Sequence, residues 1–260
     1  MDHEPYAPPQ AVLEDAPPSS TGEVIPFEDK AAFPGLGQRI LETCRWILAD
    51  RERAGAALRG TDALGQPLVF LLLVAFLPTV LPGLLGVFFP RTPFWMTWMH
   101  APQATPAQGI FLVVAAVGVL VFAPVGLIIG TLVGGLLYHA GLWMVRGTTG
   151  RFGLAATLRS VAYTAAALSW IIFPFHLGQS LPGLAGQLFL VLAFLLTFFG
   201  STTYQGVLLA RTHQVETWRG VAGAWILNVV ILGCLAACFG LIFWFAGDSI
   251  REALRHAGGG

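Results

Sequence analysis

An all-α, polytopic membrane bundle of five spans is the fold class this sequence predicts, and three observations carry it. Between Ala63 and Val215 the chain runs 153 residues without one Asp, Glu or Lys, and only Arg91, Arg146, Arg151, Arg159 and Arg211 place charge there. Soluble domains of this size are roughly 25% charged because their surface has to be solvated. A chain that dispenses with charge for so long is fitted to hydrocarbon. Mean hydropathy is +0.71 and 55% of residues are hydrophobic, above the roughly 45–50% of globular chains. Finally, eleven of the fourteen carboxylates lie in the first 62 residues, so the acidic head and the apolar body are different materials.

Four segments follow from this: a head over 1–35, an interfacial helix and linker over 36–66, a membrane domain over 67–246 and a tail over 247–260. The head is acidic and proline-rich, with Lys30 its only basic residue. Such composition buries too little apolar surface to offset ordering entropy, so disorder is expected. No secretory signal pattern occurs there, and the first apolar run is expected to act as an uncleaved anchor. From Leu36 to Arg59 helix formers return without proline. Ile40, Cys44, Ile47 and Leu48 share one face, and Arg39, Arg45, Arg51, Arg53 and Arg59 supply a basic side. Such a helix suits the headgroup plane of a bilayer, with a solvated linker helix as the alternative.

Five apolar runs come next. The first, 67–89, contains Pro78 and Pro82, which kink a span without vetoing it. The second, 110–145, would be roughly 54 Å long as a helix at 1.5 Å per residue, against about 30 Å of hydrocarbon. It counts as one span, with tilt, a break near Pro124 or an extension past Gly134-Gly135 absorbing the excess. The third is 160–177, led in by 154–159; the fourth is 184–210 and the fifth 221–246. With the N-terminus cytoplasmic, that side collects eleven Lys/Arg and the far side three, a positive-inside asymmetry. This orientation fits the inner membrane of a bacterium. The Phe94-Trp95-Met96-Thr97-Trp98 cluster is expected at the outer interface.

Within the spans, Gly126, Gly130 and Gly134 recur at four-residue spacing and make a flat helix face that another backbone can approach. Packing within the chain is the first expectation for that face, with a homodimer seam or a lipid groove as alternatives. A second pattern is polar: Thr197, Ser201, Tyr204 and Gln205 share a side of the fourth span. Tyr163, with Ser160 and Thr164, lies in the third, and Asn228 in the fifth. Such groups usually bond across helices, for about 1 kcal/mol each or less; a solute-lined cavity is the alternative. His139 is the one histidine well inside an apolar run, and hydrogen-bonded packing is its expected role.

Several function classes are disfavoured. No Ser/His/Asp set with a usable acid, no HExxH and no glycine-rich phosphate loop is present, so no catalytic, cofactor-binding or metal residues are assigned. No basic stripe interleaves with aromatics, which argues against nucleic acid. Cys44 is isolated, and Cys234 and Cys238 lie one turn apart in an apolar run, where cysteine packs as a small apolar residue.

Certain segments resemble a known family. Ile25-Pro26-Phe27-Glu28-Asp29 looks like the Pro-Trp-Glu opening of bacterial Yip-type proteins, relatives of the eukaryotic Ypt/Rab-interacting family. Leu41-Glu42-Thr43-Cys44-Arg45-Trp46-Ile47-Leu48 and Leu64-Gly65-Gln66-Pro67-Leu68-Val69-Phe70 are similar to the approach to their first span. His139, Gly147, the segment Ala156-Thr157-Leu158-Arg159-Ser160-Val161-Ala162-Tyr163, and the pair Pro174 and Gly178 resemble their later signature. Phe27 stands where the family usually has Trp, and Asp50 where Pro is common. The resemblance implies an integral membrane protein without catalytic activity. The expected role is a non-enzymatic organiser or adaptor in the bilayer, recruiting a protein partner through its head, with homo-oligomerisation open to it. A small-solute or lipid transporter using the polar face is the alternative. A water-accessible cavity reaching Ser201 and Gln205 would favour transport; a dry, glycine-lined bundle would favour the organiser.

Overall fold

The computed structural model describes residues 23–88, 108–148, 153–181 and 183–257, and among these it is all-α. Two short helices, α1 (Leu36–Ala49) and α2 (Arg51–Leu58), precede α3 (Gly65–Phe88), α4 (Gln108–Met144) and α5 (Gly153–Gly178). The next rod begins as α6 (Gly183–Leu195), passes through a π-helical turn (Leu196–Ser201) and continues as α7 (Thr202–His213); α8 (Thr217–Ala257) follows. Five rods are long and apolar enough to cross a membrane: Gly65–Val87, Val113–Met144, Gly153–Gly178, Gly183–His213 and Thr217–Cys238. The chain is a multi-pass membrane protein on that basis. The aromatic cluster at 94–98 and the head up to residue 22 lie outside the described residues.

The run over 110–145 is one continuous helix, and Pro124 does not break it. Pro78 shows how a span tolerates proline. It has no N–H to give the carbonyl four residues back, and that carbonyl, of Val74, accepts the indole Nε1–H of Trp170 at 2.9 Å. The fifth rod is longer than expected, since α8 stays helical through Ala257 and takes in most of the tail.

The head differs from expectation in its order and in the continuity of its helix. Composition argued for disorder through residue 35, yet Ile25 and Phe27 are fully buried and belong to the core. Averaging over the whole acidic segment concealed two apolar residues flanking Pro26. The backbone N–H of Phe27 donates to Thr43 Oγ1 at 2.8 Å, and Asp29 Oδ1 accepts from Ala31 and Ala32 N–H. The basic helix, in turn, is docked on the bundle through its inner face. Thr43, Trp46 and Ile47 of α1 are buried against the end of the bundle. The helix expected over 36–59 is broken at Asp50, which leaves helical geometry and accepts the N–H of Arg53 as the N-cap of α2, a role carboxylates fill well.

Arg51, Arg53 and Arg59 serve this docking. Arg53 stacks over Trp46, 3.7 Å from the ring centroid, and Arg51 over Tyr204 at 4.9 Å. Arg59 donates to the Arg211 carbonyl at 2.9 Å, and Glu52 pairs with Arg211 at 2.9 Å. Arg219 donates to the Arg146 carbonyl. Head, α4–α5 turn and α7–α8 turn therefore meet at one end of the bundle.

The glycine expectation is corrected as well. A Cβ added at Gly126, Gly130 or Gly134 would meet nothing within 4 Å, so among the described residues that face packs on no other helix. Close crossings occur elsewhere. A Cβ on Gly141 would strike the Gly223 carbonyl, joining α4 to α8, and one on Gly220 would strike the Gly206 carbonyl, joining α8 to α7. These glycines pair between helices, so periodicity along a single helix does not reveal them.

Candidate functional site

The head is fastened through one buried ion pair. Arg159, six residues inside α5, is fully buried, and its Nη2 lies 2.9 and 3.0 Å from the two carboxylate oxygens of Glu28. Its Nε donates to the Leu58 carbonyl at 3.1 Å and its Nη1 to the Ala63 carbonyl at 2.8 Å. One guanidinium thus holds three points of the head. Tyr163, one turn further along α5, donates its hydroxyl to Glu28 Oε1 at 2.7 Å. Phe70 packs edge-on against Phe27 and tilted against Tyr163, with centroids 5.0 and 4.9 Å apart. Charge offers a physical signal for this pair in the sequence: an arginine in a stretch without carboxylates needs an acid from elsewhere.

Tyr204 serves the head in a different way. Its hydroxyl donates to the Ile47 and Leu48 carbonyls, acceptors in the last turn of α1 that the helix itself leaves without partners. Burial beneath α1 pushes the Cys44 thiol up to about 11. In a Cys234→Ser, Cys238→Ser chain, a water-soluble maleimide at pH 8 should therefore label Cys44 roughly a hundredfold more slowly than in the unfolded chain, because the thiolate reacts. Rapid labelling of the folded protein would contradict the docking of α1.

The remaining residues of the expected polar face divide among three places. His139 Nδ1 lies 2.9 Å from Thr157 Oγ1, which lies 2.8 Å from Nε2 of the buried His213. One hydroxyl has one proton, so it donates to one imidazole at most and accepts an N–H from at least one. Asn228 donates to Thr202 Oγ1 at 2.9 Å and ties α8 to α7. Thr197, Ser201 and Gln205 reach a cavity of about 450 Å³ bounded by α3, α4, α5 and the fourth rod. Gln205 also donates to Ser160 Oγ at 3.2 Å. The single polar face read from helical spacing is thus a head clamp, two interhelical ties and a cavity wall. Thr164 belongs to the polar pattern of the third span, Glu28 and Thr157 enter the sequence reading only through the Yip-type resemblance, Arg159 through it and the charge count, and His213 does not enter it.

Comparison with family models, curated proteins and solved structures gives no match.

Proposed function

We propose that this chain is a non-enzymatic, Yip-type integral membrane protein, an organiser or adaptor of the bacterial inner membrane that recruits a protein partner through its cytoplasmic head. The observation that supports this reading is the clamp of Glu28 on Arg159 and Tyr163. It fastens Glu28 to the spans, so a partner held by the acidic, proline-rich sequence ahead of it is tethered to the bundle. Two segments that carry the Yip resemblance, 25–29 and 156–163, meet at this clamp. Eleven of the fourteen Lys/Arg fall at the head end, which favours a cytoplasmic head.

The test compares two variants at matched membrane levels in a null strain. Deleting residues 2–22 should abolish the cellular role and leave the bundle folded. Truncation to residue 59 is unsuitable, because it also removes Ile25, Phe27, Ile47 and Leu58 from the core. His139→Ala should keep full activity and lose about 1 kcal/mol of stability, the usual worth of one hydrogen bond. Full complementation by the 2–22 deletion, with loss in His139→Ala, would overturn the adaptor reading. A transporter role has one specific observation in its favour, the cavity reaching Ser201 and Gln205; solute uptake by vesicles containing the purified chain tests it.

A further inference from the structure

We propose that the cavity between the first four spans is a binding site for an uncharged lipid with a single hydroxyl or carbonyl oxygen, engaged by Thr164. The proposal concerns what occupies the site and stands whether or not the protein transports it or recruits partners.

Thr164 carries the argument. It is 1% exposed, lines the cavity, and its Oγ1 has no hydrogen-bond partner. A helical threonine commonly satisfies its hydroxyl on the carbonyl four residues back, as Thr212 does on Leu208. Thr164 does not, and a buried hydroxyl without a partner is costly. A ligand oxygen in the cavity supplies what the protein withholds.

The wall supplies a second observation. The fourth rod passes the cavity in its π-helical turn, Leu196–Ser201, and both Thr197 and Ser201 line the space. π-Turns interrupt regular helix and occur frequently at functional sites. The volume of about 450 Å³ lies within the roughly 300–1,000 Å³ usual for ligand pockets.

Chemistry narrows the ligand. Among the described residues no Asp, Glu, Lys or Arg lines the cavity, and its one imidazole, His176, accepts at Nδ1 from Gln179 Nε2 at 3.1 Å and so carries no charge; a charged headgroup would sit there unpaired, which apolar surroundings penalise heavily. Leu71, Leu127, Leu168 and Ile172 make much of the wall, and the space lies at the level of the spans, where hydrocarbon is the surrounding solvent. Filling it with water alone would take on the order of ten molecules, each needing two to four polar partners. A slender hydrocarbon chain with one oxygen at the Thr164 level satisfies both the wall and the hydroxyl.

The experiment uses the full chain in phosphatidylcholine vesicles, photolysed with hexadecanol carrying a diazirine and an alkyne, with labelled peptides mapped by mass spectrometry. Labelling should saturate and concentrate on 161–176 and 197–205. Excess hexadecanol should displace it, while palmitate and hexadecyltrimethylammonium should not. Thr164→Val should weaken labelling about fivefold or more, as loss of one hydrogen bond does; Thr164→Ser should restore it, and Leu168→Trp should abolish it by filling the space. Hexadecanol should raise the melting temperature of the wild-type chain and leave that of Thr164→Val unchanged. Labelling that fails to saturate and spreads over lipid-facing Val121 and Phe122 would overturn the site. Equal competition by the charged amphiphiles would overturn the uncharged assignment. Should the variants fail to fold, saturation and competition in the wild-type chain decide by themselves.

Discussion

Replacing Arg159 by methionine should cost about 3–5 kcal/mol of stability, the range for removing one side of a buried ion pair. Three losses coincide. The Glu28 carboxylate keeps only the Tyr163 hydroxyl, and the Leu58 and Ala63 carbonyls lose their guanidinium donors. The head should then lift from the bundle, and Cys44 should become reactive, so maleimide labelling reports the opening independently of unfolding. Glu28→Gln should cost less, because an amide oxygen still accepts from Tyr163 and Arg159. Combining Glu28→Leu with Arg159→Met should recover part of the loss, since a buried pair replaced by apolar groups is often near neutral. The measurement is a double-mutant cycle on unfolding of the full chain in detergent. Additive single effects would mean that the two residues are not coupled and that the head is held mainly by its apolar contacts.

Gly206→Val should be nearly as damaging, at about 3 kcal/mol or more, the upper part of the range for overpacking. The new Cβ would lie 2.6 Å from Val221 Cα and 2.9 Å from the Gly220 carbonyl oxygen, and backbone atoms cannot rotate aside as a side-chain tip can. In hydrocarbon little else drives α7 against α8, because association there depends on close packing and interhelical hydrogen bonds. The helices would have to separate, and with them the Asn228–Thr202 tie. Gly130→Leu is the matching control. Its Cβ meets nothing, so unfolding should change by about 0.5 kcal/mol at most. A Gly130→Leu chain as unstable as Gly206→Val, or one with an altered oligomeric state, would show that the open glycine face is occupied in the membrane by a second copy.

The sequence made the spans legible because hydrocarbon imposes a constraint on every residue of a run: charge is excluded and length is set. Pro78 and Pro124 did not mislead, since both sit where the apolar pattern continues through them. Head docking was not legible in composition, because it depends on a few residues against many. Ile25, Phe27 and Glu28 are outnumbered by the acidic and proline residues around them, yet Phe27 meets Phe70, Glu28 meets Arg159, and Ile25 joins the same core. Helical spacing placed Thr197, Ser201 and Gln205 on one wall correctly, and wrongly grouped Tyr204 with them, because spacing orders residues around one axis and says nothing of what lies opposite. Tyr204 faces the carbonyl end of α1, whereas Thr197, Ser201 and Gln205 reach the gap between rods. Gly141 and Gly223 escaped for the same reason, as their relation exists only between two helices.

The 131 residues separating Glu28 from Arg159 also set an order of events during synthesis. At roughly 5–20 residues per second, the ribosome needs about 7 to 26 s between one partner and the other. For most of that interval α1 and α2 have been made and only the α3 part of their seat, with Phe70 and Leu71, exists, so Trp46 and Ile47 wait beside the insertion machinery for α5 to complete it. The third span arrives bearing an arginine that only the waiting head can neutralise, so its insertion and the seating of the head become a single step. An arrested nascent chain ending at residue 148 should therefore carry a freely reactive Cys44, and one with all of α5 clear of the ribosome a protected one; protection in the shorter chain would show that the head finds its place without Arg159.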